Sequence, residues 1–175
     1  MKWILFTALF ITTACFSQAQ EITVEEIVNN YAENTGGRDA WMAVDNMVMT
    51  ASMTMQGMDF PLEIIRRKDG KQLTKFSFQG KEMVQDAFDG ETMWGVNFMT
   101  MKPEKSDSEQ TENHKRTIGE FPDALLTYDE MGYTLELDGE DNIDGVDCYK
   151  LKLTKKSQLV EGEEVDNIEY YYMDK

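Results

Sequence analysis

The chain has 175 residues, with 33 acidic side chains against 17 basic ones and a single histidine, for a formal charge of −16. Hydrophobic residues make up 41% and charged residues 29%, the balance of a globular domain and not of a disordered tail. Such an acidic excess excludes a nucleic-acid partner, whose phosphates demand a basic face, and speaks against docking on an anionic membrane surface. One histidine and two cysteines leave little material for a zinc site, and no cofactor or metal is expected.

Residues 1–19 read as a secretory signal. Lys2 supplies a positive start, Trp3 to Ala14 is uncharged, and Ser17-Gln18-Ala19 gives the small-x-small cleavage pattern. The apolar run is too short to span a membrane. Cleavage after Ala19 leaves Gln20 as the new N-terminus of an exported, periplasmic protein. The alternative is acylation of Cys15 and anchoring at the outer membrane. Thr12-Thr13-Ala14-Cys15 has the small residue before the cysteine but lacks the usual leucine three positions earlier. Cleavage removes Lys2 and Cys15, so Cys148 remains as the one cysteine and no intramolecular disulfide can form. Residues 20–175 are expected to form a single domain held by its core alone.

The first element is a helix from Ile22 to Gly37. Thr23-Val24-Glu25-Glu26 is a capping box, Val24, Ile27, Val28 and Tyr31 form its apolar stripe, and Gly36-Gly37 stop it. Arg38 to Val44 suggests a second short helix. From Asn46 the period changes to two: Met47, Met49, Ala51, Met53 and Met55 alternate with Val48, Thr50, Ser52 and Thr54. Phe60, Leu62 and Ile64 continue on a second strand. Leu73 to Phe78, Met83 to Phe88 and Thr92 to Phe98 follow, with Asp69-Gly70 and Asp89-Gly90 as turns. These strands predict an antiparallel meander. Met99 to Asp107 reads as a loop, Ser108 to Thr117 as a polar helix, and Phe121 to Met131 as an amphipathic helix with Phe121, Leu125 and Leu126 facing in. Strands resume at Tyr133 to Leu137, Asp147 to Thr154 and Val165 to Met173. Asp138-Gly139, Asp144-Gly145 and Glu161-Gly162 are expected as the turns between them. The last strand is followed only by Asp174-Lys175, which suggests either an exposed edge or a chain truncated at its C-terminus.

No catalytic constellation emerges, and a non-enzymatic protein is expected. His114 sits in a polar segment read as solvated surface, with no nucleophile pattern nearby. Cys148 lies on the Lys150 and Lys152 side of its strand, where the lysines could lower its pKa. Asp138, Glu140, Asp141, Asp144 and Asp147 do not fit a calcium loop, because position 6 is Ile143 and position 12 is Tyr149. The methionines carry more information. Their simplest role is to fill gaps where a sheet packs on helices. Their functional reading is an adaptable oily surface for a flexible apolar ligand. Neighbouring thioethers on one strand face are about 7 Å apart, too far to share a copper ion.

The phrases EIVNNYAENTGGRDAW, NMVMTASMTMQGM, FDGETMW and LDGEDNIDGVDCYKLKLTKK, in this order and before a tyrosine-rich strand, give the chain a resemblance. It resembles the outer-membrane lipoprotein-sorting-type proteins of Bacteroidetes-like bacteria, relatives of the LolA/LolB lipoprotein carriers. The resemblance implies an α+β fold. Its curved, unclosed, half-barrel-like antiparallel sheet has about eight strands, with short helices on the concave face. It further implies a cavity between sheet and helices that takes acyl chains. The single arginine that tethers the lid in those carriers has no identified counterpart here, and Arg66 and Arg67 are candidates by position only.

The expected function is therefore a periplasmic carrier or binder of lipidated or apolar ligands, in lipoprotein sorting to the outer membrane. The alternative is an envelope interaction module with a filled core. Met49, Met53, Ile64, Phe76, Trp94 and Phe98 are the expected cavity lining. The segment from Met99 to Met131, with Phe121 and Leu125, is the expected lid. Acyl chains or lipoproteins, and envelope proteins, are the expected partners.

Overall fold

The computed structural model describes residues 22–175 apart from positions 56, 79, 98 and 101, so the leader, Cys15 and Phe98 lie outside the described residues. Helix α1 (Val24–Asn34) begins at the expected capping box. The Thr23 hydroxyl accepts the Glu26 N–H, and the Glu26 carboxylate accepts the Thr23 N–H at 2.8 Å. It ends where Gly36 and Gly37 turn to positive φ and the Gly37 N–H bonds the Ala32 carbonyl. Ile27, Val28 and Ala32 form its buried side. Helix α2 (Arg38–Met42) follows directly.

Six strands then form an open antiparallel meander in chain order: β1 (Asn46–Met55), β2 (Met58–Arg67), β3 (Gln72–Phe78), β4 (Lys81–Phe88), β5 (Met93–Asn97) and β6 (Lys102–Lys105). Strand β6 stands where a loop was expected. Its four residues pair with β5 from Asn97↔Lys102 to Trp94↔Lys105. Pro103 is tolerated because β6 is an edge, and its lysines discourage further pairing.

Helix α3 (Ser108–Thr117) is capped by Asp107, and a short 3₁₀ turn follows at Ile118–Glu120. Helix α4 (Ala124–Thr127) is one turn, much shorter than the expected Phe121 to Met131 helix. The Asp123 carboxylate caps the Leu125 N–H at 2.8 Å, which sets the start at Ala124. Strands β7 (Thr134–Ile143), β8 (Val146–Val160) and β9 (Glu163–Asp174) make a second antiparallel sheet in the order β7-β8-β9. Asp138-Gly139 is a bulge inside β7, not a turn. The register steps there from Leu137↔Leu151 to Glu140↔Tyr149.

The architecture is thus α+β, with open antiparallel sheets of six and three strands and a few short helices. The core lies on the inner side of the three-stranded sheet. Leu151 and Leu153 of β8 are fully buried, while the alternating Lys150 and Lys152 stay half-buried. Val28 and Ala32 of α1 pack with Leu126, and Ala124 and Tyr133 pack with Leu153. Leu135 touches both groups. In the six-stranded sheet, most apolar side chains remain half-buried. Phe60, Thr74, Phe76 and Phe88 are the buried positions among the described strand residues.

Candidate functional site

The strand register sorts the six-stranded sheet into two faces, because directly paired residues point to the same side. Met47, Met49 and Met53 of β1 pair with Arg66, Ile64 and Phe60 of β2. Leu62, Ile64 and Arg66 pair in turn with Phe76, Thr74 and Gln72 of β3. Gln72 pairs with Phe88, which pairs with Met93. This methionine face therefore runs across five strands, with its apolar side chains concentrated on β1 to β3 and Phe88 and Met93 continuing them on β4 and β5. The opposite face carries Val48, Thr50, Ser52 and Thr54. It also holds an ion-pair row in which Lys75 meets Glu63 at 2.6 Å and Glu82 at 3.3 Å.

The structure brings together Met49, Met53, Ile64 and Phe76 on the methionine face. It does not bring Trp94 to them. Met93 faces Phe88, so its neighbour Trp94 points to the other side and pairs with Ala87 and Lys105. There its indole N–H donates to Asp89 Oδ2 at 2.9 Å, and the Lys105 ammonium lies 5.3 Å from the ring centroid. It shares a separate groove of about 380 Å³ with Val84, Ala87, Val96 and Pro103. Alternation along β5 reveals a strand, but only the pairing with β4 tells which side is which. Phe98 lies outside the described residues. Phe60, Leu62, Phe88 and Met93 complete the methionine face. The period-two run of Phe60, Leu62 and Ile64 was the available signal for the first two.

A short polar row crosses this face. Asp86 Oδ2 accepts hydrogen bonds from Thr74 Oγ1 and Gln72 Nε2, each at 3.1 Å. These bonds satisfy Thr74, which is 6% exposed. Arg66 stands beside the row, opposite both Met47 and Gln72.

The expected lid residues Phe121 and Leu125 are both buried, in a segment that packs on α1, β7 and β8. The helical element that reaches the six-stranded sheet is α3. Its His114 ring lies 4.3 Å from Phe88, and His114 Nε2 is 3.1 Å from the Gly70 carbonyl. This half-buried setting corrects the solvated position expected for the histidine. The Met93 N–H donates to Thr111 Oγ1 at 3.1 Å, and Ile118 packs on Gly70.

The other side of α3 is fastened to β8 and β9. The Asn113 side chain accepts the Leu159 N–H and donates to the Leu159 carbonyl, both at 2.8 Å. Glu109 accepts the Glu161 and Gly162 N–H groups, and Arg116 reaches Ser157 and Glu164. Positions 109, 113 and 116 repeat at helical spacing, so one polar stripe makes all these bonds.

Below this seam, Lys155 is buried between Glu120 at 3.2 Å and Glu169 at 2.6 Å. The Tyr133 hydroxyl donates to Glu120 at 2.9 Å, and the Tyr171 hydroxyl donates to Glu169 at 2.8 Å. Cys148 is 2% exposed, and burial followed by the Asp174 carboxylate pushes its thiol above the ordinary value. The lysines of its strand do not activate it. Among the described residues, no group of three or more histidine, cysteine, aspartate or glutamate side chains is placed to hold a metal.

No family model matches the chain, and no curated protein matches it. Among solved structures, it is similar to lipoprotein LppX of Mycobacterium tuberculosis, at 14% identity and a TM-score of 0.34. That match covers 86% of this chain and 79% of LppX. It is also similar to a DUF1329 family protein from Desulfovibrio piger ATCC 29098, at 16% identity and a TM-score of 0.29. There the coverage is 85% of this chain and 73% of the other. Among the described residues, no helix is long and apolar enough to cross a membrane.

Proposed function

We propose that the protein is an exported, non-enzymatic carrier or binder of lipidated or apolar ligands, and that the methionine face is where the ligand lies. One observation carries this reading. An apolar surface of Met47, Met49, Met53, Phe60, Leu62, Ile64 and Phe76 spans β1 to β3 on one face, and Met47, Met49, Met53, Leu62 and Ile64 within it remain half-buried. The tightly packed leucines are instead on β8, under α1 and α4. Methionine side chains are unbranched and polarizable, so such a face adapts to a flexible chain. Each methylene it removes from water contributes about 0.8 kcal/mol. The run from Met47 to Met53 is about 20 Å long by strand rise, enough to align a long acyl chain. Transfer of lipoproteins toward the outer membrane is the physiological task that fits an exported binder of this kind.

Native mass spectrometry of the mature protein from an envelope extract tests the reading. An acylated species in stoichiometric amount is expected, and Met49→Lys is expected to abolish it. A clean protein mass that persists after incubation with palmitate, hexadecanol and a diacylated lipopeptide overturns the reading and favours an interaction module with a filled core.

A further inference from the structure

Among the described residues, Arg66 is the one cation of its neighbourhood whose side chain has no partner. Arg67 pairs with Asp69 at 3.2 Å, and Lys71 reaches the same carboxylate at 3.8 Å. Lys68 donates to the Met42 carbonyl, and Lys75 is held by Glu63 and Glu82. The Arg66 side chain makes no hydrogen bond or ion pair among the described residues, although the chain carries 33 acidic side chains. It is half-buried, and the register puts it on the methionine face, facing Met47 on one side and Gln72 on the other. The nearest acid on this face, Asp86, is occupied by Thr74 and Gln72. A guanidinium drawn partly out of water beside thioethers is costly unless an anion meets it. Its planar fork suits the two oxygens of a carboxylate or phosphate.

We propose that Arg66 receives the anionic head group of a single-chain amphiphile whose tail lies along Met49, Ile64 and Met53. This inference rests on the carrier reading and names its ligand class: a carboxylate or phosphate head on a long alkyl chain. Arg66 lies at the end of the face where α3 crosses, beside the Gln72, Phe88 and Met93 row. The tail therefore runs from there toward Phe60 at the far end of β1 and β2. Arg67, on the opposite face and already paired, has no such role.

The test measures binding of palmitate, hexadecyl phosphate and hexadecanol to the wild-type protein below their micelle concentrations. It repeats the series with Arg66→Gln, Arg66→Lys and Arg67→Gln, each checked for its fold by circular dichroism. At least one anion is expected to bind about ten- to a hundredfold tighter than the alcohol. That preference is expected to vanish in Arg66→Gln, survive in part in Arg66→Lys, and persist in Arg67→Gln. Hexadecanol binding should hardly change in any variant. A preference for palmitate alone or for the phosphate alone supports the inference and identifies the head group. Equal binding of all three ligands, or a preference that survives in Arg66→Gln, overturns it and leaves the carrier reading standing. Wild-type protein that binds none of the three overturns the carrier reading itself.

Discussion

Arg116 of α3 and Glu164 of β9 meet through two parallel hydrogen bonds of 2.8 Å, Nη1 to Oε2 and Nη2 to Oε1. The same Nη1 donates to the Ser157 carbonyl at 2.6 Å, and the Ser157 hydroxyl donates to Glu164. One guanidinium thus ties the helix that reaches the methionine face to the β8–β9 hairpin.

This clasp makes part of the stability depend on acid. The Arg116 fork, and then the Ser157 hydroxyl, hold the Glu164 carboxyl at about 2 instead of the ordinary 4.5. A depressed carboxylate contributes stability that is complete above its unfolded value and is lost as pH falls through the folded one. Urea unfolding between pH 5 and pH 2 should therefore show a steeper loss in the wild type than in Glu164→Gln. Equal slopes for the two proteins contradict the clasp.

Gly70, in the turn between β2 and β3, is one of the contact points of α3 and the 3₁₀ turn that follows it on the six-stranded sheet. Its φ is +85°, and a Cβ there would lie 2.8 to 2.9 Å from three Ile118 carbons. Gly70→Ala is expected to cost about 1–3 kcal/mol, from backbone strain plus overpacking. Gly70→Ala with Ile118→Ala should relieve the crowding but retain the strain. A thermal or chemical denaturation series checks this: a double variant as unstable as the sum of the two singles excludes the contact.

Lys155 neutralises a buried carboxylate. Its side chain is 6% exposed, and that of Glu120 is 10% exposed. Lys155→Met strands Glu120 and is expected to destabilise by about 3–5 kcal/mol, whereas Lys155→Met with Glu120→Leu should recover most of that loss. A double-mutant cycle with little coupling between the two positions would show that the pair is solvated in solution.

The two sheets differ in how a truncation is felt. Leu153→Ala removes a fully buried side chain and should cost about 2–5 kcal/mol. Met49→Leu keeps the volume of a half-buried side chain and should cost less than about 1.5 kcal/mol, while it alters the chain-length preference of ligand binding. Parallel stability and binding measurements separate the two effects. A Met49→Leu variant unstable to the same degree as Leu153→Ala makes Met49 ordinary core.

Cys148 should react slowly. It is 2% exposed, and burial, followed by the Asp174 carboxylate, holds its thiol above the ordinary value, so both access and thiolate formation are held back. Iodoacetamide should label it far faster in urea than in buffer, and mass spectrometry reads the ratio.

Local chemistry alone determined much of this protein. The Thr23 to Glu26 capping box, the Gly36-Gly37 stop and the period-two strands from Asn46 to Phe88 depend on neighbours a few residues apart, so they were legible in the chain. The alternation that puts Met49 and Met53 on one face of β1 was legible for the same reason, whereas their meeting with Ile64 and Phe76 depends on the register of β1, β2 and β3. Other features depend on partners far away in sequence. Lys102–Lys105 becomes a strand only because β5 offers an edge to pair with. Asp138-Gly139 becomes a bulge because β8 continues past it. Trp94 belongs to the face opposite the methionines because Met93 pairs with Phe88. The role suggested for Arg66 needed most of all the tertiary structure. A sequence lists charges, but whether a charge has found a partner is a question of distance.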